Sequence, residues 1–351
     1  MAKRIAVIGT GMWGTTLSRM LSQRELHVTL WARHPDEAMT LGRDRENNKA
    51  LPGVRLPDSL VITASLEIAL EGCELLLLVV PAQTMRDNLR QLSQHLQPST
   101  IVLSATKGLE VGTCKRMSEV ILEVLPASLA PRVAVLSGPN LAKEIAAGLP
   151  ATTVVAARDQ EVATLVQETL GTPSFRVYTN PDVVGVELGG ALKNVIALGA
   201  GIGDGLGVGD NAKAAFLTRG LAEMARLGVA AGANPLTFAG LAGLGDLIAT
   251  CASPHSRNRY VGQELARGRS LADIQASMRM VAEGVSTAAA ARELAKRYGV
   301  EMPIAELVYE VLFLGKSPRQ AVVELMSREP TRELHGIEAF ISDTVRTIAE
   351  T

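Results

Sequence analysis

Cysteine is nearly absent from this chain. The three that occur, Cys73, Cys114 and Cys251, are odd in number, far apart and form no C-x-x-C pair. That pattern supports neither a disulfide framework nor a zinc site, and it suits a reducing cytoplasm. An excess of either charge is also missing: 35 basic residues stand against 36 acidic ones, for a formal net charge of -1. A nucleic-acid partner held by a bulk positive field is therefore not expected, and any anion site has to be local. Long apolar runs are lacking as well. The basic start Met1–Ala2–Lys3–Arg4 leads into an apolar run that ends at once in Gly9–Thr10–Gly11, too short for the core of a signal peptide. The most apolar later segment, Leu75–Val80, falls far short of the roughly 20 residues that span a bilayer. The glycine-rich stretch further on is interrupted by Lys193 and Asn194, so no membrane insertion is expected. No cluster of His, Cys and carboxylates suggests a metal, and internal repeats and low-complexity segments are missing.

What is present begins with length. A chain of 351 residues exceeds the roughly 250–300 that one core supports, so two domains are expected. Arg4–Ile8 is a short β-branched run, followed directly by Gly9–Thr10–Gly11–Met12–Trp13–Gly14. Thr15–Leu21 then takes on helical spacing, and His27–Trp31 reads as a second strand. Strand, G-x-G-x-x-G, helix, strand is a dinucleotide fingerprint. Its first glycine, Gly9, makes the turn, Gly11 lets backbone approach a pyrophosphate, and Gly14 lets helix meet sheet. The helix start presents free N–H groups to phosphate. The second strand ends in Ala32–Arg33–His34–Pro35–Asp36. A cation there can meet the 2′-phosphate of NADP, while Asp36 keeps NAD open; the plainer reading is a solvated Arg33.

After an irregular stretch from Leu51 to Pro57, strands and helices alternate. Val61–Thr63, Leu75–Val80, Thr100–Ser104, Arg132–Leu136, Thr152–Ala156 and Ser174–Tyr178 read as strands, with helices at Met85–Leu96, Lys115–Val124 and Gln160–Leu170 between them. Alternation of this kind predicts a mostly parallel sheet covered by helices on both faces, over residues 1–180. Ligands of such sheets bind beyond the carboxyl ends of the strands. Val80–Pro81–Ala82–Gln83, Ser104–Ala105–Thr106–Lys107–Gly108 and Ser137–Gly138–Pro139–Asn140 fall there, the last leading into Leu141–Ala142.

From about Pro181 the pattern turns wholly helical, so residues 181–351 are predicted to form an all-α domain. Its helices are expected at Pro181–Ile202, Asn211–Leu227, Pro235–Thr250, Arg257–Gly268, Leu271–Ser277, Val285–Tyr298, Met302–Leu314 and Pro318–Met326, with the glycine-dense Gly203–Asp210 as a break. The first helix carries Glu187–Leu188–Gly189–Gly190–Ala191–Leu192–Lys193–Asn194. Lys193 has no acid three or four residues away, and the glycines beside it suggest an ammonium aimed into a crevice. The alternative is a lysine reaching out to the surface. Downstream, Gly245–Asp246–Leu247 supplies an acid. Ser256–Arg257–Asn258 opens a helix with a hydroxyl, a guanidinium and an amide in succession, a set suited to a dianionic phosphate. The alternative there is a serine N-cap with surface arginines. Glu283, in Met280–Val281–Ala282–Glu283–Gly284, can contact a ribose or cap a helix.

Taken together, Gly9-x-Gly11-x-Trp13-Gly14, Ala105–Glu110, Ser137–Gly138–Pro139, Glu187–Ile196, Gly243–Thr250 and Ser256–Arg257–Asn258 resemble NAD(P)-dependent glycerol-3-phosphate dehydrogenases of the bacterial type. The resemblance is collinear to about Glu283. It implies a Rossmann-type α/β domain followed by a helical domain like the C-terminal one of 6-phosphogluconate dehydrogenase. It implies reversible reduction of dihydroxyacetone phosphate to sn-glycerol 3-phosphate with NADPH or NADH, in support of phospholipid synthesis, by a cytoplasmic homodimer. Lys193 would be the proton donor and acceptor. Lys107, Gly138, Asn140, Asp246, Ser256, Arg257 and Asn258 would surround the substrate. Gly9, Gly11, Met12, Trp13, Gly14, Arg33, His34, Ala142, Val281 and Glu283 would line the cofactor, together with Lys107 and Arg257. Asn140 departs from the family, which more usually has a hydroxyl residue there. Two rivals stay open: a dehydrogenase for a phosphate-free hydroxy acid, opposed by Ser256–Arg257–Asn258, and a redox sensor that binds NAD(P) without turnover. The stretch beyond Arg328 carries no usable motif.

Overall fold

The computed structural model describes residues 3–278 and 280–330. The part of the predicted helical domain beyond residue 330 lies outside the described residues. The chain divides into two compact units, one made of Met1–Lys107 and Lys115–Val183, the other of Gly108–Cys114 and Val184–Thr351.

The first unit is built on strands β1 (Arg4–Ile8), β2 (His27–Trp31), β3 (Glu46–Asn47), β4 (Leu51–Arg55), β5 (Val61–Thr63), β6 (Leu75–Leu78), β7 (Ile101–Ser104), β8 (Val133–Ser137), β9 (Ala151–Ala157) and β10 (Phe175–Asn180). Eight of them form one sheet in the order β10-β9-β8-β7-β6-β1-β2-β5. Its pairs are parallel except for the antiparallel β8–β9. Both faces are covered. Ile5 and Val7 of β1 belong to one apolar cluster, while Ala6 and Ile8 belong to another. This is why the strands read as unbroken apolar runs. The helix α1 (Met12–Ser22) seals the first face through Leu17 and Leu21, each fully buried. Such a side chain contributes about 1.5–3 kcal/mol by leaving water.

Two features depart from the sequence expectation. The stretch expected to be irregular contains β4, which pairs antiparallel with β3 just before it, the register shifting between Glu46 and Asn47. Additional short helices occupy Pro35–Asp44 and Leu66–Leu70. Strands this short, carrying Pro52 and Gly53, have no period-2 signal to read.

The second unit is organised around α2 (Val183–Leu206), with 16 of its residues buried. By length and a mean hydropathy of 1.4 this helix could be mistaken for a membrane span, yet 83% of that window is buried inside the protein. A second such window, Pro235–Ala252, is 44% buried. It is not one helix, as the sequence suggested. Pro235–Phe238 is a short helix, Leu241–Gly245 a π turn, and Asp246–Ala252 a further helix. The break expected from Gly203 onward is shorter too. The helix runs on to Leu206, and only Gly207 and Gly209 turn to φ of 71° and 85°. Packing explains it. The α2 helix crosses Arg257–Ala266 so closely that a Cβ on Gly201 would lie 2.0 Å from the Arg259 carbonyl oxygen.

Glu223, 3% exposed, spans from Asp210–Ala230 to the start of Pro303–Phe313. It accepts from the backbone N–H of Ile304 at 2.8 Å and Ala305 at 3.3 Å. Burial pushes its carboxyl up to about 7, against the lowering effect of those two N–H groups. A raised folded-state pKa means the folded chain holds the proton longer than the unfolded one. Glu223 therefore contributes stability at low pH that is lost as pH rises from about 4.5 to about 7. We expect Glu223→Gln to remove this slope. The Tm of the variant minus that of the parent should rise between pH 5 and 7.5, and a pH-independent difference would refute the assignment.

Candidate active site

In the first unit the chain passes from β1 to β2 and β5 on one side and from β6 to β7 on the other, so β1 and β6 flank the point where strand order reverses. The glycine loop lies there. A Cβ on Gly9 would meet the Val79 carbonyl oxygen at 2.6 Å, and one on Gly14 would meet the Gly9 carbonyl oxygen at 2.0 Å. A Cβ on Gly11 would meet nothing within 4 Å. Gly9 and Gly14 are therefore required by the turn itself, while Gly11 borders open space, where a pyrophosphate can approach backbone. The α1 helix starts at Met12 with no side-chain cap and no acid in its first turn, which suits an anion at its N-terminus.

The loop is held from below by a residue the sequence reading missed. Asn47, 4% exposed, donates to the Thr10 carbonyl at 2.8 Å and to the Thr15 hydroxyl at 2.9 Å. Thr10 in turn donates to Glu37 at 2.7 Å. Trp13 packs on Phe175 with ring centroids 6.3 Å apart. Arg33 and His34 come after β2 and are exposed, His34 standing at the N-cap of Pro35–Asp44 without a side-chain cap.

A second group gathers at the ends of β7 and β8. Lys107 donates to the Gly138 carbonyl at 2.8 Å. Asn140 donates to the Thr153 hydroxyl at 3.0 Å, and Thr153 to the Ser137 carbonyl at 2.8 Å. Ala142 opens the short helix Ala142–Ala146, and its carbonyl accepts from Thr16 at 3.3 Å. Among the described residues, the buried Trp13 Nε1, Ser104 Oγ, Ser137 Oγ and Asn140 Oδ1 have no hydrogen-bond partner. Leaving such an atom unmatched costs about 1–3 kcal/mol, so groups of this kind mark places where a polar ligand is useful. With the space at Gly11, the residues fit a dinucleotide.

In the second unit Lys193 is 6% exposed, which rules out the surface alternative. The acid missing three and four residues away on its own helix comes from another. Its Nζ lies 2.8 Å from Asp246 Oδ1 and donates to Thr250 Oγ1 at 2.5 Å. Thr250 also donates to Asp246 at 3.3 Å. Asp246 and Thr250 are four residues apart and so share a helix face. Thr250 is the partner the sequence reading left unassigned. The Gly–Gly step beside Lys193 serves this packing: a Cβ on Gly189 would lie 2.7 Å from the Ala242 carbonyl oxygen of the π turn. Backbone, not ligand, requires that glycine. Cys251 is fully buried nearby, and burial pushes its thiol up to about 12, so it stays neutral.

The phosphate candidates are tied into the same unit. Ser256 caps Arg257–Ala266 by accepting from the Arg259 N–H, as the plainer alternative held. Its hydroxyl proton is left to donate. Asn258 donates to Asn194 Oδ1 at 2.8 Å and accepts from the Gly284 N–H at 3.0 Å, which joins three helices through one amide. Arg257 is exposed and donates to the Val281 carbonyl at 2.5 Å. The Glu283 carboxylate also acts on the Arg257 guanidinium, so Arg257, Val281 and Glu283 form one neighbourhood. Glu283 begins the helix Glu283–Tyr298.

Comparison with known proteins matches both halves of the chain. The N-terminal model of NAD-dependent glycerol-3-phosphate dehydrogenase matches residues 4–163, and the C-terminal model matches 182–323. A Geobacter metallireducens protein named glycerol-3-phosphate dehydrogenase [NAD(P)+] is 53% identical over 95% of this chain and 99% of its own length. One of the same name from Chlorobium limicola is 50% identical over 94% of this chain and 99% of its own. The crystal structure of glycerol-3-phosphate dehydrogenase from Coxiella burnetii superposes with a TM-score of 0.88 at 36% identity, covering 93% of this chain and 99% of that one. Its two matched halves make this chain a member of the NAD-dependent glycerol-3-phosphate dehydrogenase family.

Proposed function

We infer that the chain reduces dihydroxyacetone phosphate to sn-glycerol 3-phosphate, reversibly, with NADPH or NADH. The observation that carries this reading is the buried Lys193–Asp246–Thr250 cluster in a chain of this family. When bound, the reduced nicotinamide supplies the hydride that reaches the ketone carbon. The carbonyl oxygen then gains negative charge and needs a proton. Lys193 has three N–H donors; Asp246 and Thr250 take two, and the third is available to that oxygen. Asp246 aims the ammonium, and Lys193 donates from Nζ as the general acid.

In the same reading, Arg257, with the Ser256 hydroxyl and the spare Asn258 N–H, grips the substrate phosphate and so orients the ketone. Glu283 and Val281 belong to the cofactor side of Arg257. Lys107, Gly138 and Asn140 are further substrate contacts in this reading, and Asn140 Oδ1, an unmatched acceptor, suits a substrate hydroxyl. Gly9, Gly11, Met12, Trp13, Gly14, Arg33, His34 and Ala142 hold the cofactor. The product serves phospholipid synthesis. The three buried free cysteines support the cytoplasm as its place, and a homodimer belongs to the same reading.

Lys193→Met should lower kcat by about 10²–10⁴ in the NADPH-absorbance assay. The variant also strands a buried carboxylate, which costs roughly 3–5 kcal/mol of stability. The double variant Lys193→Met/Asp246→Asn should recover Tm without recovering kcat; a few-fold loss of activity at most would show that Lys193 is not the acid. Arg257→Ala should raise KM for dihydroxyacetone phosphate by about 10–10²-fold, the loss of one charge-assisted contact. Inorganic phosphate should compete with substrate in the parent and much less in this variant. Equal inhibition of both would place the phosphate elsewhere.

A further inference from the structure

Arg33 stands just after β2, where the proposed function has it meet the cofactor. Its side chain is exposed, so alone it would sample many rotamers. Arg33 Nη2, however, donates to Asn88 Oδ1 at 2.8 Å. Asn88 is 2% exposed and lies in the helix Met85–Leu92, after β6. Its own orientation is fixed, because Nδ2 donates to the Thr84 carbonyl at 2.7 Å and approaches the Thr84 hydroxyl at 3.3 Å. Thr84 is anchored in turn: its N–H and its hydroxyl both donate to the Pro81 carbonyl at 2.9 Å. With the amide nitrogen committed to Thr84, only the amide oxygen can face Arg33. A guanidinium has five N–H donors, so this contact leaves four for a phosphate. Asn88 is also neutral, so it orients the guanidinium without cancelling its charge.

Resting on the cofactor role of Arg33 in the proposed function, we propose that Asn88 is a positioning residue for cofactor choice, presetting Arg33 at the end of β2 to receive a 2′-phosphate and so favouring NADPH over NADH. Fixing a flexible arginine before the ligand arrives removes an ordering cost from the bound state, worth about two- to tenfold in affinity. Only a ligand that uses Arg33 benefits. An NADH molecule, with a bare 2′-hydroxyl, presents no phosphate to it.

Steady-state kinetics of the full-length enzyme with NADPH and with NADH test this, alongside inhibition by adenosine 2′,5′-bisphosphate. Asn88→Ala should raise KM for NADPH about two- to tenfold and weaken that inhibition equally, with kcat and the KM for NADH unchanged. The nearly isosteric Asn88→Asp keeps an acceptor toward Arg33 but adds a negative charge, so its NADPH KM should rise further than in Asn88→Ala. Arg33→Ala reports on the underlying assignment and should cut the NADPH-to-NADH ratio of kcat/KM the most. If Arg33→Ala lowers the ratio while both Asn88 variants keep it, the role of Asn88 is overturned and the cofactor assignment stands. An unchanged ratio in Arg33→Ala would remove that assignment and the role of Asn88 with it. Equal losses with both cofactors in the Asn88 variants would reduce Asn88 to a packing residue.

Discussion

The helical unit depends on keeping an ammonium and a carboxylate out of water. Each such ion costs several kcal/mol to desolvate, and mutual attraction repays it only with close geometry and further hydrogen bonds. Lys193 and Asp246 meet at 2.8 Å, and Thr250 bonds to both. Much of the local backbone answers that need. Gly189 lets the π turn Leu241–Gly245 approach α2, and the turn sets the start of the helix that carries Asp246 and Thr250. A π turn is a costly local choice and is often found at functional sites. Here it comes directly before the acid that orients the lysine.

The sheet unit solves a different problem. The first turn of α1 carries no acid, which leaves its N-terminus suited to an anion. The unit's precision comes from neutral groups. Asn47 pins the glycine loop, Thr153 links Asn140 to β8, and Asn88 orients Arg33. Neutral amides can fix a geometry without weakening a nearby cation, which explains why asparagine recurs around this unit. The helical unit uses the same device where Asn258 ties Asn194 to Gly284.

Legibility from sequence differed by kind of feature. Strands β1, β2 and β5 match their expected bounds, since each is a short run rich in β-branched residues. The helix Gln160–Leu170 was equally clear, with Asp159 as its cap. The hairpin β3–β4 was not, and neither was the interruption of Pro235–Thr250 by a π turn, because apolar spacing does not encode a change of hydrogen-bond register. Lys193 stood out by having no partner nearby in sequence. Its partner could be found only on a helix some fifty residues away.

The sequence alone determined which residue types were available and where each could begin an element: the glycine loop after the first strand, a lone lysine in an apolar helix, and a Ser–Arg–Asn opening of another. Local rules of spacing and turn chemistry suffice for these. Only the tertiary structure decided who pairs with whom. That Lys193 meets Asp246 and Thr250, that Asn258 joins Asn194 to Gly284, and that Arg33 leans on Asn88 are contacts between segments distant in the chain. Such pairings are selected by burial and by the need to satisfy every buried polar group together, a condition that no short window of sequence contains.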